Sequence, residues 1–474
     1  MTKYTKIKIG DICRIEKGRT GIASAAPGEY PLVVTAEERK TCGTYQFDCE
    51  AVCIPLVSSS GHGKKSLKNV HYQSGKFALG SILCAVIPNN PQEVNARYLH
   101  QYLQFYKDTL LVPLMKGAAN VSLSMRDIAK VEIPLPDFDT QAALAKIFVQ
   151  AQEKQKELNA EFEKQTEYAK RLRQNILQEA IEGKLTAEWR KTHPAEKGNP
   201  DFDAQALFEQ IQKEKCHTDS ILLTQNQKKK HKGKSLDFPN PCDNDYPFEI
   251  PEDWKWVRLG EIFEHKTGKT LNGSSNKGTV LKKYRTTSNL YWNTFDFTKV
   301  KEMFFTNEEV EKYSVKKGDL LVCEGGDVGR SSIWNYDYAV CYQNHIHRLR
   351  AYSSINIEFY YYILYLYKFS GYINSQSKGM GIQGLSSNKL DSFILPLPPL
   401  AEQKEIVAKI ESLLAKATRL EEQIQERKKL SVQLMQTILR NAFASPQDIL
   451  RKLWYNSCGE NRNENRCNIR KYGI

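Results

Sequence analysis

Along two stretches of this chain, apolar residues recur at the alternating three- and four-residue steps of a helix that buries one stripe. The first runs through Leu144, Phe148, Ala151, Gln155, Leu158, Phe162, Gln165, Ala169, Leu172 and Ile176. Each position recurs 262 residues later, as Ile406, Ile410, Leu413, Ala417, Leu420, Ile424, Arg427, Ser431, Leu434 and Ile438. A period near 3.5 held this long predicts coiled-coil helices. Two copies in one chain predict that they pair with each other.

The rest of the pattern is arranged around these helices. Residues 1–138 carry short apolar runs between Gly, Ser and Asn turns. Strands are expected at Ile7–Ile12, at Ile82–Ile87 and from Val131, and a helix at Ala96–Leu110. The prolines of Ile133-Pro-Leu-Pro-Asp137 stop the last strand, and Asp139 or Thr140 is placed to cap the first long helix, assigned to 139–186. Residues 187–246 predict a linker, with a short amphipathic helix at Ala204–Lys215, the run Lys228–Lys234 and a Pro/Asn/Asp stretch. The segment 247–399 repeats the first: Val257–Ile262 matches Ile7–Ile12, Lys378-Gly379 matches Lys116-Gly117, and Pro396-Leu-Pro398 matches Pro134-Leu-Pro136. A second long helix is assigned to 400–445, and 446–474 is a tail without counterpart. The predicted fold class is α+β: two mixed α/β domains separated by two long antiparallel coiled-coil helices, an internal tandem repeat with pseudo-twofold symmetry.

At 474 residues the chain has room for about three domains. Its net charge of +13 points to a polyanionic partner. The longest apolar run, Phe359–Tyr367, is about half the ~20 residues that span a bilayer and predicts a buried aromatic helix. The N-terminus has no apolar signal core, so a cytoplasmic location is expected. The eleven cysteines include no Cys-x-x-Cys pair. Cys42, Cys49 and Cys53, with His62 and His71 downstream, fit no standard zinc spacing, and reduced core thiols are expected.

Catalytic motifs fail on their context. Gly379-Met-Gly-Ile-Gln-Gly384 spells a dinucleotide fingerprint, but an aromatic helix and a polar turn precede it where a strand is needed. Ser60–Ser66 lacks the upstream glycine of a P-loop. Gly325–Arg330 is a glycine-rich turn whose amides and arginine suit a phosphate or a base. No paired-His metal site, nucleophile elbow or Cys/His dyad emerges. A binding and assembly protein is the favoured reading. Its alternatives are a DNA methyltransferase or nuclease with fused recognition domains, and a structural coiled-coil protein.

Three segments carry a family resemblance: Glu249–Ile262, Ile394–Gln403 and Gln174–Leu185. They resemble characteristic segments of the specificity subunits of type I restriction-modification enzymes, and the resemblance runs from Lys8 to about Ala444. It implies a non-catalytic subunit that reads a bipartite double-stranded DNA target. Each globular part would be a target-recognition domain for one half-site, with the helices as an antiparallel spacer. It implies as partners two methyltransferase subunits carrying S-adenosylmethionine, docked on the helices, and motor-nuclease restriction subunits using ATP and Mg. No cofactor, metal or membrane is implied for this chain. Charge and loop position nominate Lys64, Lys65, Lys68 and the loop from Lys116 to Ser122 as DNA contacts in the first domain. In the second they nominate Lys282, Lys283, Arg285, Arg330 and the loop from Lys378 to Ser386. A helix of about 42 residues is roughly 60 Å long, enough to hold two readers a duplex turn or more apart. One departure stands out: where the first copy ends in Glu182-Gly-Lys-Leu185, the second has Ala444-Ser-Pro-Gln447.

Overall fold

A computed structural model of the chain describes residues 4–60, 63–225, 246–270, 278, 280–376 and 384–444. The lysine run Lys228–Lys234, His62, Lys378 with most of its glycine motif, and the tail after Ala444 lie outside the described residues. The chain divides into two units, Met1–Lys164 with Ile424–Ile474 and Gln165–Gln423. The long helices Phe138–Ile181 and Leu400–Ala444 each give one part to each unit. Among the described residues no helix is long and apolar enough to cross a membrane.

In the first unit, Lys6–Lys8 pairs with Glu132–Pro134, so the first strand of the domain meets its last. One four-stranded antiparallel sheet runs in the order Cys13–Lys17, Leu83–Pro88, Ala51–Pro55, His71–Gln73. A second runs Lys40–Cys42, Tyr30–Val33, Lys76–Leu79, Phe47–Asp48, its central pair parallel. The helix Ala96–Leu110 forms where the sequence predicts it. The second unit repeats this plan. Lys255–Arg258 pairs with Ile394–Leu397. One sheet orders Phe263–Thr267, Ile346–Ala351, Leu320–Cys323, Ser331–Ile333; the other orders Lys301–Phe305, Val280–Arg285, Val340–Tyr342, Ser314–Val315, again with a parallel central pair. The aromatic run is the buried helix Ile357–Phe369.

Two local predictions need correction. Ile7–Ile12 and Val257–Ile262 are not continuous strands: each breaks into a helical turn, Ile9–Ile12 and Leu259–Ile262. The shared glycine lets each turn pack closely, since a Cβ on Gly10 would lie 3.0 Å from Ala129 Cβ and one on Gly260 3.1 Å from Asp391 Cβ. The first long helix is capped by Asp137, whose carboxylate accepts from Thr140 N at 2.8 Å, rather than by Asp139 or Thr140.

A buried glutamine fastens each domain to its helix. Gln141 accepts from Asn95 N at 2.9 Å and donates to Pro136 O at 2.8 Å, while Asn95 caps the helix Ala96–Leu110. Gln403 accepts from Asn356 N at 2.9 Å and donates to Pro398 O at 2.8 Å, while Asn356 caps Ile357–Phe369. The Pro-Leu-Pro runs thus end in the same hydrogen-bonded joint.

Within each unit the two helix segments run antiparallel. In the first, Phe148 meets Phe443, Gln155 meets Ser431, and Glu163 meets Lys428 at 2.7 Å. In the second, Arg173 holds the Glu421 carboxylate through Nε and Nη2 at 2.8 and 3.0 Å, and Lys409 donates to Leu185 O. The seam is not the strict heptad of the sequence. Leu144, Phe148, Phe162, Ile176, Ile406 and Ile410 are buried, and Leu413 and Ile424 half-buried. Leu158, Leu172, Leu420, Leu434 and Ile438 are exposed, and their neighbours Arg173, Glu421, Met435 and Leu439 turn inward instead. An undistorted helix drifts about 20° per heptad from a 3.5 repeat, so over this length the inward face moves on by about one residue.

Buried histidines tie the second unit's sheet to the short helix Ser387–Asp391. His347 Nε2 meets Leu385 O at 2.7 Å and must donate to it. Its Nδ1 therefore accepts from His265 Nε2 at 2.8 Å, and His265 Nδ1 faces Asp391 Oδ1 at 2.6 Å. Burial and the neighbouring His265 pull His347 down to about 3, and burial with Arg39 nearby pulls His71 of the first unit to about 4.

Both histidines fold neutral but accept a proton near pH 6.5 when unfolded. Their stabilisation is present above pH 6.5 and lost as pH falls toward 4. Thermal melts should show the midpoint falling across that window, and less steeply for His347→Gln. Phe443 is buried against Tyr98, Tyr102, Phe105, Tyr106 and Phe148. Phe443→Ala should cost about 3–5 kcal/mol by urea denaturation, confined to the first unit.

Candidate nucleic-acid interface

In each unit the structure brings two sequence-distant loops together. In the first, the loop between Ala51–Pro55 and His71–Gln73 carries Lys64, Lys65 and Lys68, all exposed. Ser58 and Ser59 brace it from within: Ser58 Oγ donates to Lys64 O and Lys68 N donates to Ser59 Oγ. Beside it lies the loop from Lys116 to Ser122, joined by Ser58 N to Val121 O at 3.1 Å and Leu123 N to Leu56 O at 2.9 Å. Lys116 and Ser122 exchange both backbone hydrogen bonds at 2.8 Å around Gly117, whose φ of 117° favours glycine. Lys116 is exposed and reaches Asp127 at 3.2 Å. Hydrogen bonds from Ser124 and Lys116 hold Asp127 below the usual carboxylate range.

The second unit builds the same junction from different residues. The turn Gly325–Arg330 joins Leu320–Cys323 to Ser331–Ile333, with Gly326 and Gly329 at φ 73° and 84°. Leu385 N donates to Glu324 O at 2.9 Å, the counterpart of the Leu123–Leu56 bond. Arg330 leans inward, donating from Nη2 to Thr287 O at 2.7 Å and lying 4.9 Å over the Tyr291 ring. Lys282 and Lys283 are exposed, but on the strand Val280–Arg285 rather than in a loop. Arg285, at the end of that strand, is buried beneath Phe297 and Trp334. These aromatic neighbours escaped the sequence reading, although the alternation Trp334-Asn-Tyr336-Asp-Tyr338 marks one of them, Trp334.

Among the described residues Cys216 is exposed, but the clustered cysteines belong to the first unit's cores. Cys42 and Cys53 are buried, Cys49 half-buried, and burial holds the Cys53 thiol far above its ordinary pKa. No His/Cys/Asp/Glu group suited to a metal ion occurs among the described residues.

A joint absent from the first copy sits where the first long helix ends and the second begins. Buried Glu402 accepts from Thr186 Oγ1 at 2.6 Å, from Trp254 Nε1 at 2.8 Å and from Arg190. It holds the linker helix Ala187–Thr192 against the start of Leu400–Ala444. The matching residue of the first copy is Thr140, which bonds to Asp137 instead.

Comparison with known proteins agrees with this geometry. The family model described as the type I restriction modification DNA specificity domain matches residues 1–168 and 251–428. The chain is 22% identical over 450 residues to the EcoDI type I restriction enzyme specificity subunit of Escherichia coli, covering 93% of this chain and 88% of that protein. It is 30% identical over 139 residues to the EcoBI specificity subunit of Escherichia coli, 29% of each chain. Among solved structures it is similar to a chain from a study of complex assembly and conformational transition of the type I R-M system. The TM-score is 0.59 at 17% identity, covering 93% of this chain and 98% of that one. It is also similar to the HsdS subunit from Thermoanaerobacter tengcongensis, with a TM-score of 0.52 at 16% identity over 93% of this chain and 97% of that one. These likenesses establish a shared fold. With both halves of its repeat matched by the family model, the chain belongs to the type I restriction modification DNA specificity family.

Proposed function

We propose that this chain is the non-catalytic DNA-reading subunit of a type I restriction-modification complex, each unit reading one half of a bipartite duplex target. The duplicated fold, joined by helices that run antiparallel within each unit, carries the reading. One chain then presents two readers of the same plan but different surface residues, which suits a target of two unlike half-sites. The paired loops of each unit are the proposed DNA-facing surfaces, Lys64, Lys65, Lys68 and Lys116 in the first and Lys282, Lys283 and the Arg330 turn in the second. The helices set the separation: 44 and 45 residues amount to roughly 66 Å at about 1.5 Å per residue.

Methyl transfer from S-adenosylmethionine is assigned to two methyltransferase subunits, and ATP- and Mg-dependent translocation and cleavage to restriction subunits. Two equivalent docking sites support that stoichiometry. The register set by Arg173–Glu421 puts Leu172, 41% exposed, near Leu420, 47% exposed, along the antiparallel pair. Both sit one step N-terminal to an inward residue. In an antiparallel pair such positions share a face. The repeat carries this pair onto Leu434 and Leu158 of the first unit, also exposed. Each unit thus offers an apolar patch of the same design to one partner.

Two outcomes follow. Four residues inserted into each long helix, after Lys164 and after Gln423, should add about 6 Å, close to two base pairs of rise. The unaltered half-sites should then be methylated at a longer gap, which sequencing of methylated sites would reveal; an unchanged gap contradicts the spacer role. Replacing Leu172 and Leu420 together by Asp should leave about one methyltransferase bound per chain in native mass spectrometry, where the wild type binds two.

A further inference from the structure

Buried charges in this fold come in opposite pairs, with one exception among the described residues. Lys269 meets Glu309 at 2.6 Å, Arg348 meets Glu264 at 2.7 Å, Asp319 meets Arg350 at 2.6 Å, and Glu402 meets Arg190. Arg285 is 5% exposed and faces no carboxylate: the polar groups beside it are the hydroxyls of Tyr338, which hydrogen-bonds it, and Tyr336. Its Nε and Nη1 have no hydrogen-bond partner. The guanidinium carbon lies 4.7 Å from the Phe297 ring centre and 5.7 Å from that of Trp334. Rings attract a cation but accept none of its planar N–H bonds, so the buried charge keeps two N–H groups unpaired and no opposite charge beside it. A fold that pairs its other buried charges and leaves this one open has a place for an anion supplied from outside.

Position and shape say which anion. Lys282 and Lys283 stand exposed on the strand that leads to Arg285, and Phe297 and Tyr338, 40% and 51% exposed, form the rim above it. A recessed cation cannot reach down to base edges on a groove floor. It meets what projects furthest from a duplex, which is the backbone phosphate. We propose that Arg285 is the floor of a phosphodiester site that takes one backbone phosphate of the half-site read by the second unit. The site rests on the DNA-reading function proposed above. It fixes the register of the second unit on the duplex, while neighbouring residues read sequence.

The test compares wild type, Arg285→Met and Arg285→Lys as full chains assembled with their methyltransferase subunits. The readouts are affinity for the bipartite duplex against salt, and for duplexes carrying one neutral methylphosphonate at successive positions of the half-site. Arg285→Met should bind on the order of tenfold more weakly, equally for all half-site variants, with the salt slope reduced by about one. One methylphosphonate position should weaken the wild type and leave Arg285→Met unaffected, and Arg285→Lys should recover part of the loss. The melting temperature of the Met variant should be unchanged or higher, since an unpaired buried charge is gone. A lower melting temperature with unchanged affinity would make Arg285 structural and overturn the proposal, as would relaxed preference at a single base pair. Wild type that binds, with Arg285→Met unaffected, overturns this site alone. Wild type that does not bind the duplex overturns the DNA-reading function and the site with it.

Discussion

The first unit of this protein is not a continuous stretch of the chain but is completed by the end of the second long helix, and this sharing of helices is the constraint on which the rest depends. The first unit closes over Phe443, which fills a nest of Tyr98, Tyr102, Phe105, Tyr106 and Phe148 drawn from a segment some 300 residues earlier. The second unit is joined at Glu402, whose buried carboxylate gathers the end of one helix, the linker and the start of the other. Contacts of this kind tie each unit to segments of both long helices.

The two units share a scaffold and diverge where they meet solvent. Gln141 and Gln403 build the same joint, and Leu123 and Leu385 make the same loop-to-hairpin bond. Around that bond the first unit sets exposed lysines, while the second sets a glycine turn, a strand with Lys282 and Lys283, and an arginine sunk among aromatic rings. A buried cation without an opposite charge beside it lowers stability and is hard to explain as scaffolding. The exposed leucines of the helix pair, turned out of the seam, likewise leave apolar surface in solvent.

The architecture was legible because it rests on period and repetition. Helix spacing, the Pro-Leu-Pro runs and the Gly-containing starts survive in both copies, and each marks a joint under the same backbone constraint. The heptad reading went wrong at Leu158, Leu172, Leu420, Leu434 and Ile438 because a sequence repeat fixes which residues correspond, not how far a straight helix has turned. Individual site residues were less legible for a different reason. Charge identifies Lys282 and Arg285 alike, but only tertiary packing leaves one in solvent and buries the other under Phe297. Glu402 lies in a segment that carries the family resemblance, but its role was not legible, since it depends on Thr186, Arg190 and Trp254 arriving from elsewhere in the chain.

The central claim is that two readers, each independent in what it recognises, act through one chain. Sequencing of methylated sites in cells that express this protein with its methyltransferase tests it most directly, with residues 1–138 exchanged for those of another family member. The account predicts one bipartite motif for the natural chain and, after the exchange, a motif altered in one half with the other half and the gap unchanged. A change in both halves, or a methylated motif with no bipartite form, would contradict it.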